Sequence, residues 1–401
     1  MEKHLECIRE ARSRIEGVIK KTPLMYSDLF SELSGNHVYM KPENLQKTGA
    51  FKIRGAYNKI AQLSDEEKEK GLVTSSAGNH AQGVAYAARA LGVKAKIVMP
   101  QTTPFIKVDS TRKYGVEVVL SGNVYDEAYE KAMEIVKEEG ATLIHPFDDM
   151  DVIYGQGTIG LEILEELPNV DAVLVPIGGG GLISGIALAI KALNPKVRVI
   201  GVEPEGAPTL KTSVRNGAVT TLSRVETIAD GVAVKRAGDK TFEIVRDYVD
   251  EIITVSEYQL MNAFLMAMEK HKLVCEHAGV LSLAAAAELS FKNKNVVSLI
   301  SGGNIDVVTI SSMINNGLVS SGRLFCFQAE MPDTPGELLK IAQVLKDLNA
   351  NVIKLEHNQF KALNRIKNVV LEVTVETHGY DHIERVKRGL NDVGYTLRQV
   401  Y

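Results

Sequence analysis

The chain has 401 residues, 45% of them hydrophobic and 24% charged, with a net charge of −4 at pH 7. That length suits two or three domains of roughly 100–200 residues each, with the composition of an ordinary globular protein. A mildly acidic chain without a basic block argues against nucleic acid as a partner.

In chain order, Met1–Glu10 mixes charges with single apolar residues and has no apolar signal-peptide core. From about Gly71 to Gly317, strand-like apolar runs alternate with segments of helical period. Leu72–Ser75, Ala95–Met99, Val116–Leu120 and Thr142–His145 read as a first set of strands, separated by helices such as Asn79–Leu91 and Val124–Glu139. Ala172–Pro176, Val197–Val202, Glu251–Val255 and Val296–Ser301 read as a second set. Helices are expected at Thr158–Glu166, Leu182–Leu193, Tyr258–Lys272 and Ala278–Phe291. Apolar strands alternating with helices imply parallel sheets covered on both faces. The expected fold is therefore a three-layer α/β architecture in two lobes with a cleft between them. The most apolar run, Ala278–Leu289, is about 12 residues long, too short to span a bilayer, so no membrane partner is expected. Cys7, Cys275 and Cys326 lie far apart without C-x-x-C spacing, as in a reducing cytoplasm.

The pattern changes after Ser320-Ser321-Gly322. Leu324–Met331 alternates as a strand and Pro335–Leu348 is helical; Asn351–Phe360 and Val369–Thr377 look like paired strands. Asp381–Val393 then reads as a helix and Thr396–Val400 as a last strand. This β-α-β-β-α-β order predicts a small α+β ferredoxin-like domain over residues 323–401, behind a first domain over 1–319.

Two stretches carry chemistry. Gly178-Gly179-Gly180-Gly181 lies between the strand Ala172–Pro176 and the helix beginning at Leu182. Four glycines leave no side chain between an anion and the backbone amides, and the helix start adds partial positive charge. A phosphate is the expected guest; a flexible turn is the plainer alternative. The G-x-G-x-x-G dinucleotide pattern fails at Ile183 and Ser184, although Glu203 imitates its ribose-binding acid. Lys52 sits among Ala50, Phe51 and Ile53, with Arg54 two positions on and Gly49 and Gly55 as brackets. Desolvation beside a second cation is expected to depress its pKa, as a Schiff-base lysine requires.

Thr48-Gly-Ala-Phe-Lys-Ile-Arg-Gly-Ala56 resembles the cofactor-lysine motif of fold-type II pyridoxal-phosphate enzymes, the tryptophan-synthase-β superfamily. Ser75-Ser-Ala-Gly-Asn-His-Ala-Gln82 resembles its asparagine loop, Gly178–Leu182 its phosphate loop and Ser301-Gly-Gly-Asn304 its pyridine-binding turn. Within the superfamily the combination is most similar to threonine dehydratases (threonine ammonia-lyases), with serine dehydratases and serine racemases as near relatives. Ala50 departs from the serine that many members carry there.

The resemblance implies a smaller lobe, about residues 50–150, inserted in the larger, and bound pyridoxal 5′-phosphate. Lys52 would hold the cofactor and remove the substrate's Cα proton. Gly178, Gly179, Gly180, Gly181 and Leu182 would hold its phosphate, which would protonate the departing hydroxyl. Asn79 would donate to its ring oxygen, with helix capping as the alternative role, and Ser301 would meet its ring nitrogen. Ser76, Gly78 and His80 would hold the carboxylate of the amino-acid substrate. The implied reaction is elimination from L-threonine to 2-oxobutanoate and ammonia, and from L-serine to pyruvate. A serine-preferring dehydratase or serine racemase is the alternative enzyme. The racemase pattern places an acid–base serine where this chain has Ala77, which favours elimination. Those relatives' divalent-cation site would use Glu203, Ala207 and an acid where this chain has Thr209, so no metal is assigned. His378 and His382 have helical ligand spacing but no third ligand nearby. A nucleotide-binding amino-acid sensor is the alternative of a different class.

In the last domain Asp333 or Thr334 is expected to cap a helix with Pro335 in its first turn. With the strand order, this turn resembles an ACT domain, which binds amino acids in paired copies; a plain dimerisation module is the alternative. The resemblance implies an effector such as isoleucine near Asp333, Thr334, Gly336 and Leu338, and a homodimer or homotetramer.

Overall fold

A computed structural model describes residues 1–358 and 368–401. Its strands, in chain order, are β1 (Met25–Tyr26), β2 (His37–Pro42), β3 (Leu72–Ser75), β4 (Ala95–Met99), β5 (Glu117–Leu120), β6 (Thr142–Leu143), β7 (Ala172–Pro176), β8 (Arg198–Pro204), β9 (Glu251–Val255) and β10 (Asn295–Ile300). Four more follow: β11 (Leu324–Pro332), β12 (Asn351–Asn358), β13 (Asn368–Glu376) and β14 (Leu397–Gln399). One sheet runs β1-β2-β10-β7-β8-β9, parallel except for β1. A second, wholly parallel sheet runs β5-β4-β3-β6, and its chain segment lies between β2 and β7. The fold is α/β, as the alternation of elements implies.

The small sheet shows why its strands are continuous apolar runs. Leu72 and Ile97 point into one cluster with Ala81, Val84 and Ala88, whereas their neighbours Val73 and Val98 point into another with Ala128 and Ile135. Successive side chains alternate between faces, and helices cover both.

Two helices of the first unit depart from the sequence expectation. The helix expected at Thr158–Glu166 spans Met150–Glu166, begun by Asp149, whose side chain accepts from the N–H groups of Asp151 and Val152. Glycines at 155 and 157 argue against helix by propensity. They are there for close approach: a Cβ on Gly155 would lie 2.6 Å from the Arg54 carbonyl oxygen, and one on Gly157 2.7 Å from that of Gly185. This helix thereby locks the helix Lys52–Ala61 to the helix Gly181–Leu193. Ala278–Phe291 is a 3-10 turn over His277–Val280 followed by a short helix, Leu281–Ala286.

Backbone packing divides the chain into two units, Met1–Asp306 and Val307–Tyr401. The helix Val307–Ser320 groups with the second unit, ahead of the domain boundary that the sequence predicts near residue 320. Its end is tied there by Tyr380 Oη, which donates to the Ser320 carbonyl at 2.7 Å, and Thr377 Oγ1, which donates to that of Gly322 at 2.6 Å. The sheet of this unit is antiparallel, in the order β12-β13-β11-β14, the ferredoxin-like arrangement. Gln359 and Phe360 of the expected strand lie outside the described residues. The helix Glu337–Asp347 is begun by Gly336 at φ +99° without a side-chain cap, so neither Asp333 nor Thr334 caps it and Pro335 precedes it. His382 uses both ring nitrogens, accepting from the His378 amide at 3.1 Å and donating to the Leu348 carbonyl at 2.8 Å. Among the described residues no helix is long and apolar enough to cross a membrane.

Candidate active site

Lys52 opens the helix Lys52–Ala61, and its Nζ donates to the Pro146 carbonyl at 2.7 Å. Burial lowers its pKa to about 8, against an opposing pull from the Glu276 carboxyl. Arg54 is not the cause. Its guanidinium is buried in ion pairs with Glu43 (2.8 Å) and Glu162 (2.6 Å), and Lys41 also meets Glu162 at 2.7 Å. The second cation is neutralised by carboxylates, and the network anchors the helix that carries Lys52.

Pro146 begins a three-residue connection between the lysine and the glycine loop. A Cβ on Gly179 would lie 2.4 Å from the Phe147 ring, and one on Gly181 2.8 Å from the Phe147 carbonyl oxygen. Asp148 accepts from the N–H groups of Asp239, Lys240 and Thr241 at 3.0–3.2 Å. Thr241 Oγ1 in turn donates to the Gly179 carbonyl at 2.7 Å. Gly180, at φ +95°, turns the chain into the helix. Ser184 N–H is bonded to the Gly180 carbonyl (3.0 Å), so the amides of Gly181, Leu182 and Ile183 precede the first intrahelical bond and remain for an anion.

The asparagine loop follows β3. Gly78, not Asn79, is the N-cap of the helix Asn79–Leu91. Asn79 Nδ2 donates to Glu276 Oε1 at 2.6 Å, and Asn79 Oδ1 accepts from Asn304 Nδ2 at 2.8 Å. Ser76 Oγ accepts from the Gly78 amide at 3.3 Å. His80 Nε2 donates to the Ile144 carbonyl at 2.9 Å, while burial, aided by Lys52, lowers its pKa to about 3. Its ring is thus a neutral group facing a main-chain acceptor rather than a cationic clamp. Gln82 N–H reaches the Gly78 carbonyl (3.3 Å), which leaves the amides of Asn79 and His80 at the helix start. Ser301, after β10, is buried, and its Oγ donates to the Ala278 carbonyl at 3.4 Å. Its own carbonyl accepts from the Phe51 amide at 3.1 Å, joining the serine turn to the lysine motif.

A family model described as pyridoxal-phosphate dependent enzyme matches residues 15–302. The chain belongs to this family. An L-threonine ammonia-lyase of Thermotoga maritima is 48% identical over 397 residues, covering 99% of both chains. Among solved structures, threonine deaminase isoform 2 of Solanum lycopersicum is 39% identical with a TM-score of 0.76, covering 78% of this chain and 88% of that one. Maize serine racemase is 40% identical with a TM-score of 0.74, covering 79% and 98%.

The residues present fit the family's cofactor. The glycine loop has backbone amides and no space for side chains, Lys52 offers a desolvated amine, and Asn79 retains one N–H. Ser75 Oγ and His80 Nδ1 are also buried without a protein partner among the described residues, leaving polar capacity in the same loop. Glu203 is used otherwise: it accepts from the amides of Leu210 and Lys211 at 2.7 and 2.9 Å, and burial raises its pKa to about 7. Thr209 Oγ1 donates to the Val234 carbonyl at 2.5 Å.

Sequence reasoning missed Glu276. Burial raises its pKa to about 7, opposed by the Asn79 hydrogen bond and the charges of Lys107 and Lys52. One glutamate among 50 acidic residues has no mark of its own, although its place two residues before Ala278-Gly279 sets it against the serine turn. Pro146-Phe147-Asp148 was missed as well, because its parts act through a carbonyl, a ring face and a remote helix start.

Proposed function

We propose that the chain eliminates the β-hydroxyl of L-threonine, yielding 2-oxobutanoate and ammonia, and treats L-serine likewise to yield pyruvate. The observation that carries this reading is the desolvated Lys52 amine, tied through Pro146–Asp148 to a loop of side-chain-free amides. Near-full-length similarity to a threonine ammonia-lyase supports threonine as substrate. When bound, pyridoxal phosphate supplies the carbonyl that captures the amino group and the ring that accepts electron density from Cα.

The chain supplies the rest. Amides of Gly178–Leu182 hold the phosphate and Asn79 donates to the ring oxygen. Ser301 faces the ring nitrogen without the charge to keep it protonated, so electron density is passed on to the β-leaving group rather than stored. The amides of Asn79 and His80, with the Ser76 hydroxyl and the clearance at Gly78, receive the substrate carboxylate. Lys52 takes the Cα proton, a task suited to an amine titrating near 8. Ala77 offers no proton on the opposite face, which separates this chain's chemistry from racemisation. Lys52→Ala should abolish the visible absorbance of bound cofactor and lower keto-acid production by about three orders of magnitude or more. Near-normal turnover in that variant would refute the assignment.

Residues 307–401 we assign to amino-acid regulation through paired copies of the chain, with isoleucine, the end product of a route fed by 2-oxobutanoate, as the favoured effector. Gly336 leaves open space at the start of the helix Glu337–Asp347, where a carboxylate would meet the amides of Leu338 and Leu339, ahead of the bond from the Lys340 amide to the Gly336 carbonyl at 3.2 Å. Threonine saturation curves should shift roughly 5–150-fold in affinity with isoleucine or valine added. Superimposable curves with both would refute regulation by these effectors. Three free cysteines, two of them buried, support the cytoplasm as its compartment.

A further inference from the structure

We propose that Asn304 and Glu276 are positioning residues that clamp the Asn79 carboxamide, so that its one uncommitted N–H faces the cofactor's ring oxygen. This rests on the reading of Asn79 as a cofactor donor. The hydrogen-bond inventory carries the rest. A carboxamide nitrogen has two protons, and its orientation is set by whichever neighbours must receive them.

Asn304 Nδ2 donates to the Thr48 carbonyl at 2.8 Å and to Asn79 Oδ1 at 2.8 Å. Both of its protons are therefore committed. Turning this amide over would set Oδ1 against the Thr48 carbonyl, acceptor against acceptor, so Asn304 is fixed as a donor. Asn79 Oδ1 must then be the acceptor, and Asn79 Nδ2 must point the other way. There Glu276 Oε1 takes one proton at 2.6 Å, leaving the second for the cofactor. The chain Thr48, Asn304, Asn79, Glu276 reads in one direction only.

Glycines clear its path. A Cβ on Gly302 would lie 2.4 Å from Glu276 Oε1 and 3.0 Å from Asn79 Nδ2, so any side chain there would part the carboxyl from the amide. Gly49, at φ +73°, would bring a Cβ within 2.3 Å of Asn304 Oδ1. The backbone holds the parts in register: Gly303 N–H bonds the Gly49 carbonyl at 2.8 Å, and Glu276 N–H bonds the Gly302 carbonyl at 3.1 Å. The relay thus gives Gly49, Gly302 and Asn304 physical reasons, and it links the lysine motif, the asparagine loop and the serine turn.

The test measures pyridoxal-phosphate affinity of full-length apoprotein, and the visible band of the bound cofactor, in Asn79→Ala, Asn304→Ala, Glu276→Ala and Glu276→Gln. Loss of the oriented donor should weaken affinity about tenfold and shift the band in Asn79→Ala. Asn304→Ala and Glu276→Ala should follow it in both readouts. Glu276→Gln, whose amide oxygen still accepts, should stay within about twofold of wild type. Asn304→Ala added to Asn79→Ala should change affinity less than about twofold, because the residue acts through Asn79. Wild-type affinity and band in Asn304→Ala, or additive losses in the double variant, would overturn the clamp while Asn79→Ala still reports a cofactor donor. Wild-type behaviour of Asn79→Ala would overturn the donor reading and the clamp with it. Should Asn304→Ala not fold, equal losses in Glu276→Ala and Glu276→Gln would overturn the proposal by themselves.

Discussion

Gly179→Ala should weaken cofactor binding without touching any ionisable group. The added Cβ would lie 2.4 Å from two carbons of the Phe147 ring and 2.5 Å from a third. Ordinary contact begins near 3.4 Å, so loop and ring must part by about 1.0 Å. One of the nearest carbons is Cγ, which moves little when the ring swings, so the Phe147 backbone must yield. That backbone is held by its N–H to His145 Nδ1 (3.2 Å) and by its neighbour Asp148 at the helix Asp239–Tyr248. Overpacking of this kind costs about 1–3 kcal/mol. If the strain falls on the phosphate-bound form, the dissociation constant rises roughly 5–150-fold, since about 1.4 kcal/mol is tenfold. Titration of apoprotein with pyridoxal phosphate reads this directly, and thermal unfolding reads the remainder. Adding Phe147→Ala removes the clashing carbons, so the double variant should lose less than the single losses combined. Gly179→Ala with unchanged affinity and unchanged melting temperature would refute the packing argument.

The remaining predictions concern charge and reaction course. Cofactor capture by the apoprotein should speed up about tenfold per pH unit and level off above about 8, as Lys52 loses its proton. Glu276→Gln should move that midpoint to lower pH, since the Glu276 charge raises the Lys52 value; a midpoint near 10 in wild type would contradict the desolvation. Arg54→Met should cost about 3–5 kcal/mol in denaturant unfolding, because it leaves the buried Glu43 and Glu162 without their main partner. Arg54→Lys should recover only part, lacking the planar fork that meets both carboxylates; a loss below about 1 kcal/mol for Arg54→Met would show that the network does not anchor the helix. Ala77→Ser should raise racemisation of serine above the wild-type trace, measured by chiral chromatography. Ser301→Asp should slow elimination by keeping the ring nitrogen protonated; no change in either variant would remove position 77 and position 301 from the account.

Much of this was legible in the sequence for definite reasons. β3, β4 and β7 are largely apolar, buried runs because helices cover both faces of their sheets, and such runs need no long-range knowledge to recognise. Asn79, Ser301 and the four glycines stand next to strand ends, where parallel sheets present their ligands. What escaped detection was set by distant partners. Gly155 and Gly157 break the helical pattern locally yet permit the close helix contact that fixes Lys52. Arg54 looked like a pKa perturbant because Glu43 and Glu162 could not be seen beside it. Met25–Tyr26 and His37–Pro42 lie ahead of the regular alternation, and β1 and β2 become strands by pairing with each other and with β10. Glu276 acquires meaning only from Asn79, 197 residues away.

The central claim is tested most directly by the products that purified holoenzyme forms from L-threonine and L-serine. The account predicts 2-oxobutanoate and ammonia in equal amounts from threonine, pyruvate from serine, and only a trace of D-serine. Racemised serine appearing faster than pyruvate, with no keto acid from threonine, would contradict it.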